Sequence, residues 1–300
     1  MGRVTVCLSV YNGAATLAKS LDSVFAQTYR DFDVLVLDDG STDGSGEIAR
    51  GYDCRLLSIP NGGRGAALKR MVEEAKGELV ALIDCDDIWL PEKLAKQVAQ
   101  IDATGATLVH ADCWYEYSDG SIVERNLQLP KDPCSFDHIL PSNWIIASSA
   151  LFRRTDMLAA GNFTPDTLRS CDWYGWFVLA PGREFAHLPE KLVRYSVLST
   201  SLANAGYKFH EAQHYLLNDL ILPRADELLA GLPPTDAAKF KRMMVTRAGI
   251  ALSSMASALD KKGDPRSARE LHRRAIRLAP GVARVWTRAL RNLLSRPSPA

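Results

Sequence analysis

Three hundred residues, 47% of them hydrophobic, supply enough apolar side chain for one sizeable core and a smaller satellite, which excludes a disordered chain. The 36 basic and 35 acidic residues leave a formal net charge of +1, so no field suited to nucleic acid is projected and no nucleic-acid partner is expected. Six cysteines, Cys7, Cys54, Cys85, Cys113, Cys134 and Cys171, stand singly without CxxC spacing, a usage that reads as reduced thiols in a cytoplasmic protein.

The first predicted element is a strand at about residues 4 to 10. Met1, Gly2 and Arg3 lead straight into it, so no signal segment is expected, and Val6 stands where a myristoylation signal needs Ser or Thr. A helix follows with Leu17, Leu21, Val24 and Phe25 on one face, then a strand at about 33 to 38, weaker strand text near Leu56, and a helix over 64 to 76. The continuous run from Leu79 to Ile83 suits a strand buried on both faces.

Strands alternating with helices predict a mostly parallel, doubly wound α/β sheet up to about residue 113. From there Asp119-Gly120 between apolar residues signals a hairpin over 114 to 123, and 145 to 152 is a further strand candidate. Beyond about 206 the text is helical, punctuated by Pro223, Pro233-Pro234, Gly263 and Pro280, and no stretch is apolar enough to span a bilayer.

Three polar clusters follow strand text: Tyr11-Asn12, Asp38-Asp39-Gly40-Ser41 and Asp84-Cys85-Asp86-Asp87. Ligands of open α/β sheets bind outside the carboxyl ends of the strands, so all three would meet at a nucleotide site. On the residues alone, Asp38 to Gly44 reads equally well as a turn and helix cap, with Asp43 or Ser45 satisfying the first amides.

Asp84, Asp86 and Asp87 at the end of a buried strand repel one another, and a hard divalent ion, Mn²⁺ or Mg²⁺, would relieve the repulsion. The alternative is a solvated loop with Asp87 capping the next helix. Neither a Walker lysine motif nor GxGxxG follows the first strand, which favours a metal bridge to a diphosphate over a glycine cradle.

Several segments in order resemble a family 2 glycosyltransferase of the inverting, GT-A type. They are Val6 to Gly13 with Ser9, Leu21-Asp22-Ser23-Val24 with Gln27-Thr28-Tyr29, Val36 to Asp43, Asn61 to Gly65, and Ala75 to Glu78. Leu82 to Asp87 with Pro91 and Leu94 is similar to the family's DxD segment, and Leu151 to Arg154 with Gly161-Asn162-Phe163 to its acceptor-side segment.

The resemblance covers about residues 4 to 203 and implies a GT-A domain over 1 to 205, divided into a nucleotide-sugar-binding part, 1 to 113, and an acceptor-side part, 114 to 205. Residues 206 to 300 form a helical C-terminal appendage. The implied reaction moves a sugar from a nucleotide-diphosphate sugar, a UDP-sugar first, to a hydroxyl of a glycan or lipid-linked acceptor in polysaccharide or glycoconjugate synthesis.

In that reading Ser9 belongs to the donor-binding opening, Tyr11 packs near the base, Asp39 contacts the nucleoside, Asp84 lies near the ribose and Arg64 meets the diphosphate. Asp86 binds the metal, and Asp87 helps through the ion's water shell. Asp172 is the implied base that activates the acceptor, with Cys171 in place of the family's Glu; by spacing alone it reads as the N-cap of a helix Trp173 to Leu179. Trp173 and Trp176 read either as sugar-stacking rings or as core.

Two further departures are Lys69, where many members have Asn, and Ser196 and Leu198, where Arg and His are common. His110, His138 and His187 show no ligand spacing. With Cys171, the missing Arg and His keep open a catalytically silent nucleotide-sugar-binding or scaffold protein of the same fold; a nucleotidyltransferase ranks below both, lacking its glycine-rich start.

The segment from Lys261 to Arg296 is locally cationic, and Val282, Val285, Trp286, Leu290, Leu293 and Leu294 alternate with arginines in its last helix. That pattern fits either peripheral contact with an anionic membrane face or packing on a neighbouring helix; Gly263 to Pro280 also resembles a tetratricopeptide-like hairpin.

Overall fold

The computed structural model describes residues 2–125, 143–167, 170–197 and 207–294. Cys134, His138 and Leu198 lie outside the described residues. The chain divides into two compact units, Met1–Ser199 and Thr200–Ala300.

In the first unit, β1 (Val4–Val10) is apolar at almost every position because it is covered on both faces, and Ser9 alone is half-buried. It runs parallel to β2 (Phe32–Asp38) on one side and to β4 (Leu79–Asp84) on the other. The register sets Val10 opposite Asp38 and Ser9 opposite Asp84, so three parallel strands end level. β3 (Arg55–Ser58) extends the parallel part beyond β2. Helix α1 (Ala14–Phe25) turns Leu17, Leu21 and Val24 inward, as its periodicity predicts. Helices α2 (Ser45–Arg50) and α3 (Arg64–Glu74) complete the crossovers.

Beyond β4 the sheet turns mixed. β5 is a two-residue strand (Ile88–Trp89), α4 runs Lys93–Thr104, and β6 (Leu108–Tyr117) and β7 (Ile122–Arg125) form the expected hairpin with Gly120 at φ +81. β8 (Ala150–Arg153) lies antiparallel between β4 and β6, and β9 (Phe185–Val197) runs parallel to β6. Among the described residues the nine strands follow the order β3-β2-β1-β4-β8-β6-β9-β5, with β7 beside β6.

The strand expected over 145 to 152 is broken by a 3₁₀ turn, Ala147–Ser149, and β8 begins only at Ala150. The turn is buried, and long-range bonds satisfy its polar groups: Trp89 Nε1 donates to Ser148 O (2.8 Å) and Gln97 Nε2 to Ser149 O (2.7 Å). Apolar text therefore marked burial correctly but not conformation.

Helix α5 (Arg154–Ala159) precedes α6 (Cys171–Leu179), in which every residue except Asp172 is buried. Gly175 is required there, since a Cβ would sit 2.1 Å from the Phe163 ring. Trp173 and Trp176 are core: both are essentially unexposed, and Trp176 Nε1 donates to Ile145 O at 3.0 Å, which removes them as sugar-stacking rings.

The described residues of the second unit form helices joined by short turns. α7 (Tyr207–His214) continues through a π-helical stretch, Tyr215–Ile221, and a 3₁₀ turn into α8 (Ala225–Leu229). α9 spans Pro234–Lys261, with Pro234 at its first position, where a missing amide hydrogen costs nothing. Gly263 (φ +85) follows it, and Asp264 caps α10 (Pro265–Leu278) by accepting from Ser267 N. Leu252, Ala275 and the Val285 of α11 (Ala283–Leu294) form its core, while Trp286 and Leu290 stay exposed. Among the described residues, no helix is long and apolar enough to cross a membrane.

Candidate active site at the strand ends

The chain leaves β1 through Asn12, which adopts φ 51, a left-handed conformation that Asn tolerates better than most residues. Its Oδ1 accepts from Thr42 N (2.9 Å), and its own amide donates to Ser41 Oγ (3.0 Å), tying the first and second clusters together. Asp43 joins them again: Oδ2 accepts from Ala14 N at 2.9 Å, while Oδ1 accepts from the amide and hydroxyl of Ser45. The Ser45 hydroxyl is the main cause of a carboxyl held below its usual range.

The cap reading of this segment holds: Asp43 satisfies the first amide of α2, at Ser45, and that of the neighbouring α1, at Ala14, although the N-cap position itself is Gly44.

Asp39 is buried at the end of β2, and its two oxygens accept from the amides of Gly62 (2.8 Å) and Gly63 (3.0 Å). These bonds draw the Asn61–Gly65 loop over the strand end. Gly40 permits that approach, because it sits at φ +80 and a Cβ there would lie 2.8 Å from Asn61 N. Tyr11, 54% exposed, leaves its ring open beside this pair of loops.

Arg64, the first residue of α3, turns its Nη2 onto both oxygens of Asp84 at 2.8 Å, and its Nη1 meets Cys171 Sγ at 3.5 Å. Burial works against its charge, but Asp84, and after it Asp172, hold the guanidinium protonated more firmly than usual. Burial pushes the Cys171 thiol up, so it stands under Arg64 as a neutral neighbour where the family has a carboxylate.

Asp87 is fully buried and committed to protein contacts. Ser148 Oγ donates to Oδ2 and Ser196 N to Oδ1 (2.8 Å), while the Ser196 hydroxyl bonds Asp86 O. Ser148 Oγ also accepts from Asp84 N at 2.9 Å, so one hydroxyl holds both ends of the acidic turn. Asp87 does not cap α4, whose N-cap is Glu92, five residues further on.

Asp86 is half-buried, and none of its side-chain oxygens has a described hydrogen bond. Burial, then the charge of Asp84, raises its carboxyl to about 6. Burial, then Asp84 and Asp86, raises Asp87 as well, despite its two donors. Negative charge is crowded here, and Asp86 is the carboxylate of the turn left open to a cation.

Asp172 occupies the second position of α6, not the cap. Ser170 is the N-cap, in a left-handed conformation with φ 65, and Asp172 Oδ1 accepts from Trp173 N. Asn143 Nδ2 donates to Oδ2 at 3.0 Å. Arg64 feels Asp172 and Asp84 together, and Tyr195 is raised by burial and then by Asp87, Asp84 and Asp172. These residues therefore share one electrostatic neighbourhood.

Ser9, Asp84, Asp86 and Asp172 are reached from two strands and a helix, which adjacent-residue reasoning cannot show. Ser148 and Asn143 were not singled out from the sequence; only a contact map would mark a serine in a buried apolar run. His110 and His187 stack at 4.8 Å with His187 Nε2 2.8 Å from Asp112, and burial drives His110 down to about 3. That pair is ring packing and a side-chain hydrogen bond on β6 and β9.

An open, mixed α/β sheet with carboxylates gathered at the carboxyl ends of its parallel strands is the GT-A architecture of nucleotide-sugar transferases. The chain belongs to glycosyl transferase family 2, whose model matches residues 5–162. It is 32% identical over 137 residues to an uncharacterised glycosyltransferase of a Nostoc species, covering 43% of this chain and 42% of that protein. An uncharacterised protein of Mycobacterium tuberculosis is 31% identical over 214 residues, 66% of this chain and 59% of that one. The matches thus span less than two thirds of these relatives.

Among solved structures, Staphylococcus aureus TarS 1–349 superposes with a TM-score of 0.66 at 17% identity, covering 97% of this chain and 88% of that one. TarS has also been solved with UDP-GlcNAc, at a TM-score of 0.63, 18% identity, and coverage of 97% and 89%. The mannosyltransferase PcManGT of Pyrobaculum calidifontis, solved with GDP-Man and Mn²⁺, gives 0.60 at 19% identity, covering 99% and 88%.

Proposed function

We propose that this chain is an inverting glycosyltransferase that moves a sugar from a nucleoside diphosphate sugar, with UDP as nucleotide, to a hydroxyl of a glycan or lipid-linked acceptor. The carrying observation is the convergence of Asp84, Asp86 and Asp172 around Arg64 where the parallel strands end. Membership of the family, and relatives solved with UDP-GlcNAc and GDP-Man, support the donor class.

The side chains suit a divalent ion shared with the donor. Among the described residues no three His, Cys, Asp or Glu groups form a cage, so Asp86 would hold Mn²⁺ or Mg²⁺ together with diphosphate oxygens. A bound ion there would neutralise charge gathering on the departing diphosphate. Asp87, with both oxygens engaged, fixes the turn that presents Asp86 rather than contributing to the ion's water shell.

Tyr11 and Asp39 flank the base and nucleoside, with Ser9 and Asp84 beneath the ribose. Arg64 is placed to exchange part of its bond to Asp84 for a phosphate oxygen, since a guanidinium matches both partners. Asp172 accepts the acceptor's proton: Asn143 fixes one oxygen, and the backbone amide of Trp173 the other. Attack on the face opposite the departing diphosphate inverts the anomeric centre.

The alternative, a silent nucleotide-sugar-binding or scaffold protein, is favoured by one feature: Cys171 under Arg64 supplies no charge where the family has Glu. Donor turnover with and without chelator separates the two. Metal-dependent release of UDP from a UDP-sugar supports the transferase; donor binding with no release or transfer across an acceptor panel overturns it. We place the activity on the cytoplasmic side, with peripheral membrane contact through α11 as part of the same proposal.

A further inference from the structure

The second unit holds a cavity of about 420 Å³ among α7, α9 and α11, lined in part by Ser254, Ser257, Asp260, Lys261, Arg288 and Arg291. Its size is in the range of small-molecule sites. Arg284, Arg288 and Arg291 follow the spacing i, i+4, i+7, which sets three guanidinium groups along one face of α11. Arg247 of α9 lies within their field.

The described partners of this cluster are mostly neutral. Arg288 Nη1 bonds Ser254 Oγ and Ile250 O, and the buried Nε of Arg247 has no hydrogen-bond partner among the described residues. Asp260 is the one carboxylate lining the cavity. Burial, then neighbouring arginines, holds both Arg247 and Arg288 below the usual guanidinium value. Arg288, Arg291 and Lys261 converging on one cavity beside a single carboxylate, with Arg284 and Arg247 close enough to cost free energy, describe a site for an anion.

We infer that this cavity binds a phosphate-bearing ligand, its phosphate taken between Arg288 and Arg291 with Lys261 beside them. Arginine fits this chemistry because its fork meets two phosphate oxygens at once. The same group is carried by soluble phosphorylated molecules and by anionic lipid headgroups. The inference does not depend on the transferase reading, because none of these residues belongs to the strand-end site.

The test uses the full chain in EDTA at low salt, which removes metal-dependent diphosphate binding at the strand ends. Inorganic pyrophosphate is titrated by calorimetry, and flotation is measured with phosphatidylcholine vesicles with and without phosphatidylglycerol. The expected result is binding of at least one probe, weakened about tenfold or more by Arg291→Gln and by Arg288→Gln, as loss of a charge-assisted bond requires. Arg291 is exposed, so its variant keeps the fold even where Arg288→Gln does not, and helical circular dichroism checks both.

Pyrophosphate binding assigns a soluble ligand; vesicle binding alone, dependent on phosphatidylglycerol, assigns a lipid headgroup. Binding unchanged in Arg291→Gln, or no binding of either probe, overturns the inference.

Discussion

The strand-end site and the helical cavity are opposites in charge and alike in logic. At the first, burial and then the charge of Asp84 raise Asp86 to about 6; at the second, burial and then neighbouring arginines lower Arg247 and Arg288. A net charge of +1 hides both. Like charges are held together at a cost, and each proposed ligand has the opposite sign: a cation with its diphosphate for one cluster, a phosphate for the other.

The sharpest break would come from Asp172→Asn. Turnover is expected to fall roughly 10²- to 10⁴-fold, the span of general-base contributions, with donor affinity nearly unchanged, measured by steady-state kinetics beside donor titration. Unaltered turnover would remove Asp172 as the base.

Ser148→Ala tests how the acidic turn is held. It leaves the buried Asp87 with one donor fewer, so stability should fall by about 2 kcal/mol in denaturant melts, within the cost of an unsatisfied buried group. A loss near zero would mean that Ser148 does not hold the turn.

The pH dependence follows from Asp86 and has two sides. Its folded carboxyl lies above the unfolded value of 3.8, so in the ion-free protein it favours the fold at low pH and that contribution is lost as pH rises through about 6. Cation binding runs the other way, because the proton competes for the same carboxylate. Mn²⁺ affinity should fall by about tenfold per unit as pH drops below 6, the limit set by one competing proton. A flat profile between pH 7 and 5 would separate the ion from Asp86.

Legibility divides along similar lines. Val4–Val10 and Leu79–Asp84 announced themselves through continuous apolar text, and the acids that follow them were visible because a sharp polar switch ends each run. Ser148 and Ser149 gave no such signal, since a buried 3₁₀ turn held by Trp89 and Gln97 has the composition of a strand. Asp172 was read by spacing as a cap, but the left-handed Ser170 starts the helix one residue before Cys171. The arginines of α11 were legible as a basic helix; that they share a cavity with Ser254 and Lys261 required the fold of α9 beside them.

The most direct measurement is calorimetric titration of UDP into the chain with Mn²⁺ and with chelator, repeated for Asp86→Ala. Binding that needs the ion, and that Asp86→Ala weakens by about tenfold or more, is the expected result for a diphosphate held through a shared cation. Equal affinity with ion and with chelator would contradict the account of the strand-end carboxylates.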